Sequence, residues 1–199
     1  NVIAKYGGGN PANGTQINVS WDNCSISYGY SYFTYSGMIA VGAYSTPGSY
    51  CSGESWTSIK LNLTSSTITE SSTEGMWVYS SNQTIGGNTF SNNSSGGILL
   101  YNDSFLGFSS PNTLSGNSGS VKNGIGIAGS LSSAAGRWNP LSAAYVIKDN
   151  LIINDGAVLN ISTGVVVKFS TGAYMAVKGV LNAEGTDADK IVFTSIKDD

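Results

Sequence analysis

Cleaving a polymer requires two carboxylates at a working separation, or a cluster of acidic groups that holds a metal ion. The sequence offers one acidic grouping: Asp187, Asp189, Asp198 and Asp199. Asp187-Ala188-Asp189 lies between Gly185 and Ile191, where a solvated turn is the simpler reading; its hard oxygen donors would suit Ca²⁺ if any ion. The only arginine, Arg137, is followed by Trp138, Asn139 and Pro140 in a loop-like stretch. The chain has no histidine, which removes a Ser-His-Asp triad and His-ligated zinc. No catalytic residue, metal site or cofactor is expected.

The aromatic residues point to a different chemistry. Tyr28, Tyr30 and Tyr32 alternate with period two, so on a strand they share one side, and Phe33 and Tyr35 take the other. Flat rings receive the apolar C–H faces of sugars, while nearby Asn, Ser and Thr hydrogen-bond the hydroxyls. Trp77, Tyr79 and Tyr101 join this carbohydrate-binding set through the strands described below; stacking of the tyrosines between strands is the competing role. Cys24 and Cys51 are the only cysteines. Bridged, they would close a loop of about 28 residues and contribute roughly 3–4 kcal/mol. Unbridged, they are two buried thiols, and both readings stand.

The elements that must position these residues follow from composition. Of 199 residues, 26 are Gly, 32 Ser, 19 Asn and 15 Thr, and only 21 are charged, with a net charge of −3. That balance carries no electrostatic footprint for nucleic acid, and no apolar run approaches the ~20 residues of a membrane-spanning helix. The 40% hydrophobic content recurs in short clusters, which argues against disorder and reads as many short strands separated by turns. Low charge with abundant hydroxyl and amide groups suits an extracellular or cell-surface protein. Sequons start at Asn13, Asn18, Asn23, Asn62, Asn82, Asn92, Asn93, Asn102 and Asn160, a number that follows largely from the composition.

Internal repetition organises the chain. Ile68–Val78, Phe90–Leu100 and Leu114–Ile127 each run from an apolar residue through a polar turn to a Gly-led strand. Those strands begin at Gly75, Gly97 and Gly124, with an earlier member at Gly37. Units of 22–27 residues without a helix cannot bury their apolar side chains alone and must stack. Coiling each unit once gives parallel sheets rising about 4.8 Å per coil, with roughly nine coils from the length. Stacking the Gly-led strands places Met38, Met76, Ile98 and Ile125 in one inward column and Ala40, Val78, Leu100 and Ile127 in the next. Ile39, Trp77, Leu99 and Gly126 then face outward beside Val41, Tyr79, Tyr101 and Ala128, under a cover expected from residues 44–58. Asn88, Asn112 and Asn92 are candidates for amide ladders at the corners.

Asn88-Thr89-Phe90-Ser91-Asn92-Asn93 and Asn112-Thr113-Leu114-Ser115-Gly116-Asn117 resemble right-handed parallel β-helix repeats of the pectate-lyase-like superfamily. The segments 145–147, 151–153, 156–161, 164–169, 175–186 and 191–195 are similar to a recurrent part of secreted and surface-anchored bacterial and archaeal β-helix proteins. The resemblance implies an all-β, right-handed parallel β-helix over residues 1–199. Residues 1–140 would form Ser/Asn/Gly-rich coils and residues 141–199 Val/Ile-rich ones, with a loop at 130–142 between them. Enzymes of that superfamily combine acidic Ca²⁺ ligands with an Arg or Lys base, and no such cluster can be matched here.

The expectation is therefore a non-catalytic rod or adhesive stalk, a segment of a longer chain, partnered by neighbouring β-helix repeats or by copies of itself end to end. A carbohydrate-binding module contacting polysaccharide is the alternative, and a polysaccharide lyase or hydrolase fragment is the second. An ice-binding face is set aside because Thr64, Thr67, Thr69 and Thr73 show no fixed coil position.

Overall fold

The computed structural model describes residues 3–5, 20–21, 24–25, 39–41, 61–79, 82–132 and 135–198. Every strand pairing among them is parallel except one short hairpin, β2 (Ser20–Trp21) with β3 (Cys24–Ser25). The principal sheet runs β4 (Ile39–Val41), β7 (Glu74–Tyr79), β10 (Gly96–Tyr101), β13 (Ile125–Leu131), β15 (Tyr145–Ile153), β17 (Val166–Phe169) and β20 (Val192–Ser195), with β18 (Tyr174–Val177) paired to the second half of β15. A second sheet stacks β5 (Asn62–Thr64), β8 (Asn82–Gly86) and β11 (Phe105–Phe108). A third stacks β1 (Ile3–Lys5), β6 (Thr67–Thr69), β9 (Thr89–Ser91) and β12 (Thr113–Ser115), and a fourth stacks β14 (Ala135–Trp138), β16 (Val158–Ile161) and β19 (Val180–Ala183). This is an all-β parallel solenoid of about 6 turns with about 22 residues per turn. Nine turns were expected; some steps are longer than 22 residues, as where Ile98 pairs with Ile125, and other stretches lie outside the described residues.

Two rows of apolar side chains run down the inside of the principal sheet. Ile39, Met76, Ile98, Ile125, Tyr145, Val167 and Phe193 stand in register, one per turn. Val78, Leu100, Ile127 and Ile147 form the row beside them. All but Phe193 are buried, and each contributes roughly 1.5–3 kcal/mol by leaving water. Ile68, Phe90 and Leu114 face them from the third sheet.

The register of the first Gly-led strand differs from the expected one. Ile39, not Met38, pairs with Met76, and Ala40 pairs with Trp77. A shift of one residue exchanges the two faces of a strand. Here it sets β-branched Ile39, which is buried, in the inward row with Met76.

The amide ladders are real, with one member changed. Ser66 N–H donates to Asn88 Oδ1, and Asn88 donates from both its backbone N–H and its Nδ2 to Asn112 Oδ1, each at 3.0 Å. A parallel ladder runs Ser71, Asn93, Asn117 and Asn123. Asn93, rather than Asn92, is the rung. Asn92 is exposed and holds the left-handed corner at φ 54°, where Gly116 follows at φ 64° one turn on. The segment 130–142, expected to be a loop, contains the end of β13 and all of β14. Trp138 turns inward there and stacks on Tyr145, with ring centroids 4.8 Å apart.

Candidate functional site

Trp77, Tyr79 and Tyr101 converge on the outward face of the principal sheet. Tyr79 and Tyr101 are register partners on β7 and β10, and adjacent parallel strands bring such side chains into contact. Their rings stack at 5.3 Å with 17° between planes, and Trp77 meets both edge-on at 6.0 and 6.1 Å. Asn102 Nδ2 donates to Tyr79 Oη at 2.7 Å. The stack covers one face of each tyrosine, and all three rings are half-buried. A sugar needs a free ring face, so the two shared faces serve packing between turns. Tyr28, Tyr30, Tyr32, Cys51, the side chain of Cys24 and the expected cover 44–58 lie outside the described residues.

Farther along this face the outward side chains are covered. Leu99 is 4% exposed and Val146 1%, although both point away from the solenoid core. The segment Gly116–Gly124, which makes the step from β12 to β13 long, lies over them through the fully buried Val121. A Cβ at Gly96 or at Gly126 would fall 2.8 Å from Val121 atoms, so both glycines clear the place where Val121 sits. Beside this segment, Glu74 Oε1 lies 2.7 Å from Lys148 Nζ. Sequence reasoning missed Val121, Glu74 and Lys148. The available signal was Gly126, the one glycine in an otherwise bulky outward row.

The remaining candidates form no reacting centre among the described residues. Asp187 and Asp189 are exposed on a self-contained turn, in which Asp189 N–H donates to Thr186 Oγ1 at 3.0 Å and Thr186 N–H to Asp189 O at 3.1 Å. Asp198 accepts a hydrogen bond from Thr194, and Asp199 lies outside the described residues. Arg137 is exposed, in register with Asn160 and Asn182, at a polar hollow of about 510 Å³ shared with Glu184. No three His, Cys, Asp or Glu residues gather among the described residues in a way that would hold a metal.

Compared with protein-family models, curated proteins and solved structures, the chain matches none. Its geometry alone carries the functional argument. Two further features bear on that argument. Thr67, Thr89 and Thr113 do share one coil position, with Thr69, Ser91 and Ser115 beside them, so the reason for setting aside a Thr face is overturned. Tyr145, buried against Trp138, has its phenol pushed up from 10.0 to about 12 by burial, partly offset by a backbone hydrogen bond at Asn139.

Proposed function

We propose that the chain is a non-catalytic, extracellular structural rod or adhesive stalk. The observation that supports this reading is the pair of buried asparagine ladders joining successive turns alongside the stacked inward rows. Each rung satisfies a corner N–H with an amide from the next turn, so bending the rod at a corner would break buried hydrogen bonds. At the last turn, Val177 and Phe193 project from inward positions yet are about half exposed, with Tyr174, Val180 and Val192 beside them. That surface fits the stacking of a further β-helix repeat. An assay against neutral and acidic polysaccharides tests the reading. The rod should release no product, and any retention should be unchanged in Trp77→Ala/Tyr79→Ala. Product release would overturn it, and loss of retention in the double variant would favour the carbohydrate-binding module.

A second reading has one observation behind it, the two-column array of Thr and Ser hydroxyls on β6, β9 and β12. Parallel strands space such hydroxyls about 4.8 Å apart along the rod and about 6.6 Å along each strand, a regular lattice able to order water as in ice. Thermal hysteresis that disappears in Thr89→Val would establish it; freezing behaviour identical to that of buffer would remove it.

A further inference from the structure

Two contacts on the outward face of the principal sheet skip over intervening turns. The carboxylate of Glu74, on β7, is 1% exposed and pairs with Lys148, on β15, although β10 and β13 lie between them in the sheet. Its other oxygen has no hydrogen-bond partner among the described residues. The second contact is the segment 116–124. Ser118 donates its N–H to Asn93 O at 2.9 Å and its Oγ to Ser94 O at 3.1 Å. Two residues on, the carbonyl of Ser120 accepts the hydroxyl of Ser170, fifty positions away, at 3.1 Å.

Both contacts join the same two places. Glu74 is the register partner of Gly96, which Ser94 and Ser95 immediately precede. Lys148 and Ser170 each follow a member of another register pair, Ile147 and Phe169. Val121 seats the segment midway, in the space left by Gly96 and Gly126. In a solenoid whose turns touch only their neighbours, stability is a sum of local terms and the turns open separately from an end. A link that skips turns changes that, because the intermediate turns cannot open while both of its ends are held.

We propose that the Glu74–Lys148 ion pair and the segment 116–124 form a clasp that makes the turns from β7 to β17 open as one unit. The clasp is a property of the fold and stands whether or not the chain serves as a rod.

Native-state hydrogen exchange on the full chain tests it. In the wild type, the most protected amides of β8–β9 and of β15–β17 should share one opening equilibrium. Two variants loosen the clasp: Glu74→Gln/Lys148→Met, which leaves no lone buried charge, and the milder Val121→Ala/Ser170→Ala. In each, both regions should exchange faster, but β15–β17 should gain about tenfold or more beyond β8–β9, on the scale of one or two lost contacts. Leu159→Ala, in the core and away from the clasp, should speed both regions together. The proposal is overturned if the two regions already open independently in the wild type. It is equally overturned if the clasp variants accelerate both regions alike, or neither. Should the first variant not fold, the milder one decides.

Discussion

Between Leu61 and Asn123 the corners of the solenoid are held by side chains reaching into the next turn. Between Tyr145 and Ala183 each corner instead closes a tight backbone turn of its own. In the first region Asn88, Asn93, Asn112 and Asn117 are buried rungs, and left-handed backbone falls on Ser65, Glu70, Asn92, Asn102 and Lys122 as well as on glycines. In the second, Asn154-Asp155-Gly156-Ala157, Ser162-Thr163-Gly164-Val165 and Ser170-Thr171-Gly172-Ala173 each close a four-residue turn. The backbone bonds Ala157 N–H to Asn154 O, Val165 N–H to Ser162 O and Ala173 N–H to Ser170 O close them. Glycine supplies the positive φ at the third position of each turn, at 82°, 75° and 79°, as a type II turn demands. Corner N–H and C=O groups must be satisfied in either case. The first solution ties neighbouring turns through buried side chains. The second closes each corner with its own backbone and meets the neighbouring turn through backbone bonds such as Ser162 N–H to Trp138 O, with the Ser170 hydroxyl reaching Ser120 O besides.

The sharpest way to break this contrast is to remove one rung. Asn93→Ala strips the acceptor from Ser71 N–H and the donor from Ile68 O, both in a buried corner, and should cost about 2–4 kcal/mol. Urea unfolding would show it as a lower midpoint with an unchanged slope; a loss under about 0.5 kcal/mol would mean the ladder is incidental.

The seam between the two regions, where Trp138 stacks on Tyr145, responds to pH. The folded Tyr145 keeps its proton to about pH 12, against an ordinary value of 10.0. Stability from this group is therefore intact below pH 10 and falls as pH rises from about 10 to about 12, where the unfolded chain ionises first. The loss should be about 2–3 kcal/mol, and Tyr145→Phe should remove that part of the decline while preserving the stack. A titration of stability identical in wild type and variant would contradict the assignment.

Smaller effects belong to the corners closed by tight turns. Gly164→Ala should cost about 1 kcal/mol by forcing a Cβ into left-handed backbone, since the nearest atom to that Cβ, on Pro140, is an unstrained 3.6 Å away. Asp155→Ala, exposed in its turn, should stay within about 0.5 kcal/mol. An Asp155 effect as large as that of Asn93 would dissolve the distinction between the two kinds of corner.

Much of the fold was legible in the sequence, and for a physical reason. Each Gly-led strand carries large apolar residues at alternate positions, so the pairings of Met76 with Ile98 and of Ile98 with Ile125 follow from period two. The paired motifs at Asn88 and Asn112 stack as they read, Phe90 on Leu114. The errors arose where several small or polar residues compete for one job. Met38 and Ile39 both serve as an inward residue, and Asn92 and Asn93 both serve at a corner, so only packing against the next turn chooses between them. The outward face was read in part: the meeting of Trp77, Tyr79 and Tyr101 follows from strand register. The covering segment and the Glu74–Lys148 pair do not, because contacts that skip turns leave no periodic trace. Trp138 stayed hidden because Ser, Ala and Gly around it masked a short strand.

If the clasp holds, these turns form one stiff body rather than a string of separate repeats. Stretching a single molecule from its two ends separates the two. The turns from β7 to β17 should hold together as force rises and then release their length in one event. Release turn by turn, in steps of about 75 Å for each 22-residue unit, would contradict it.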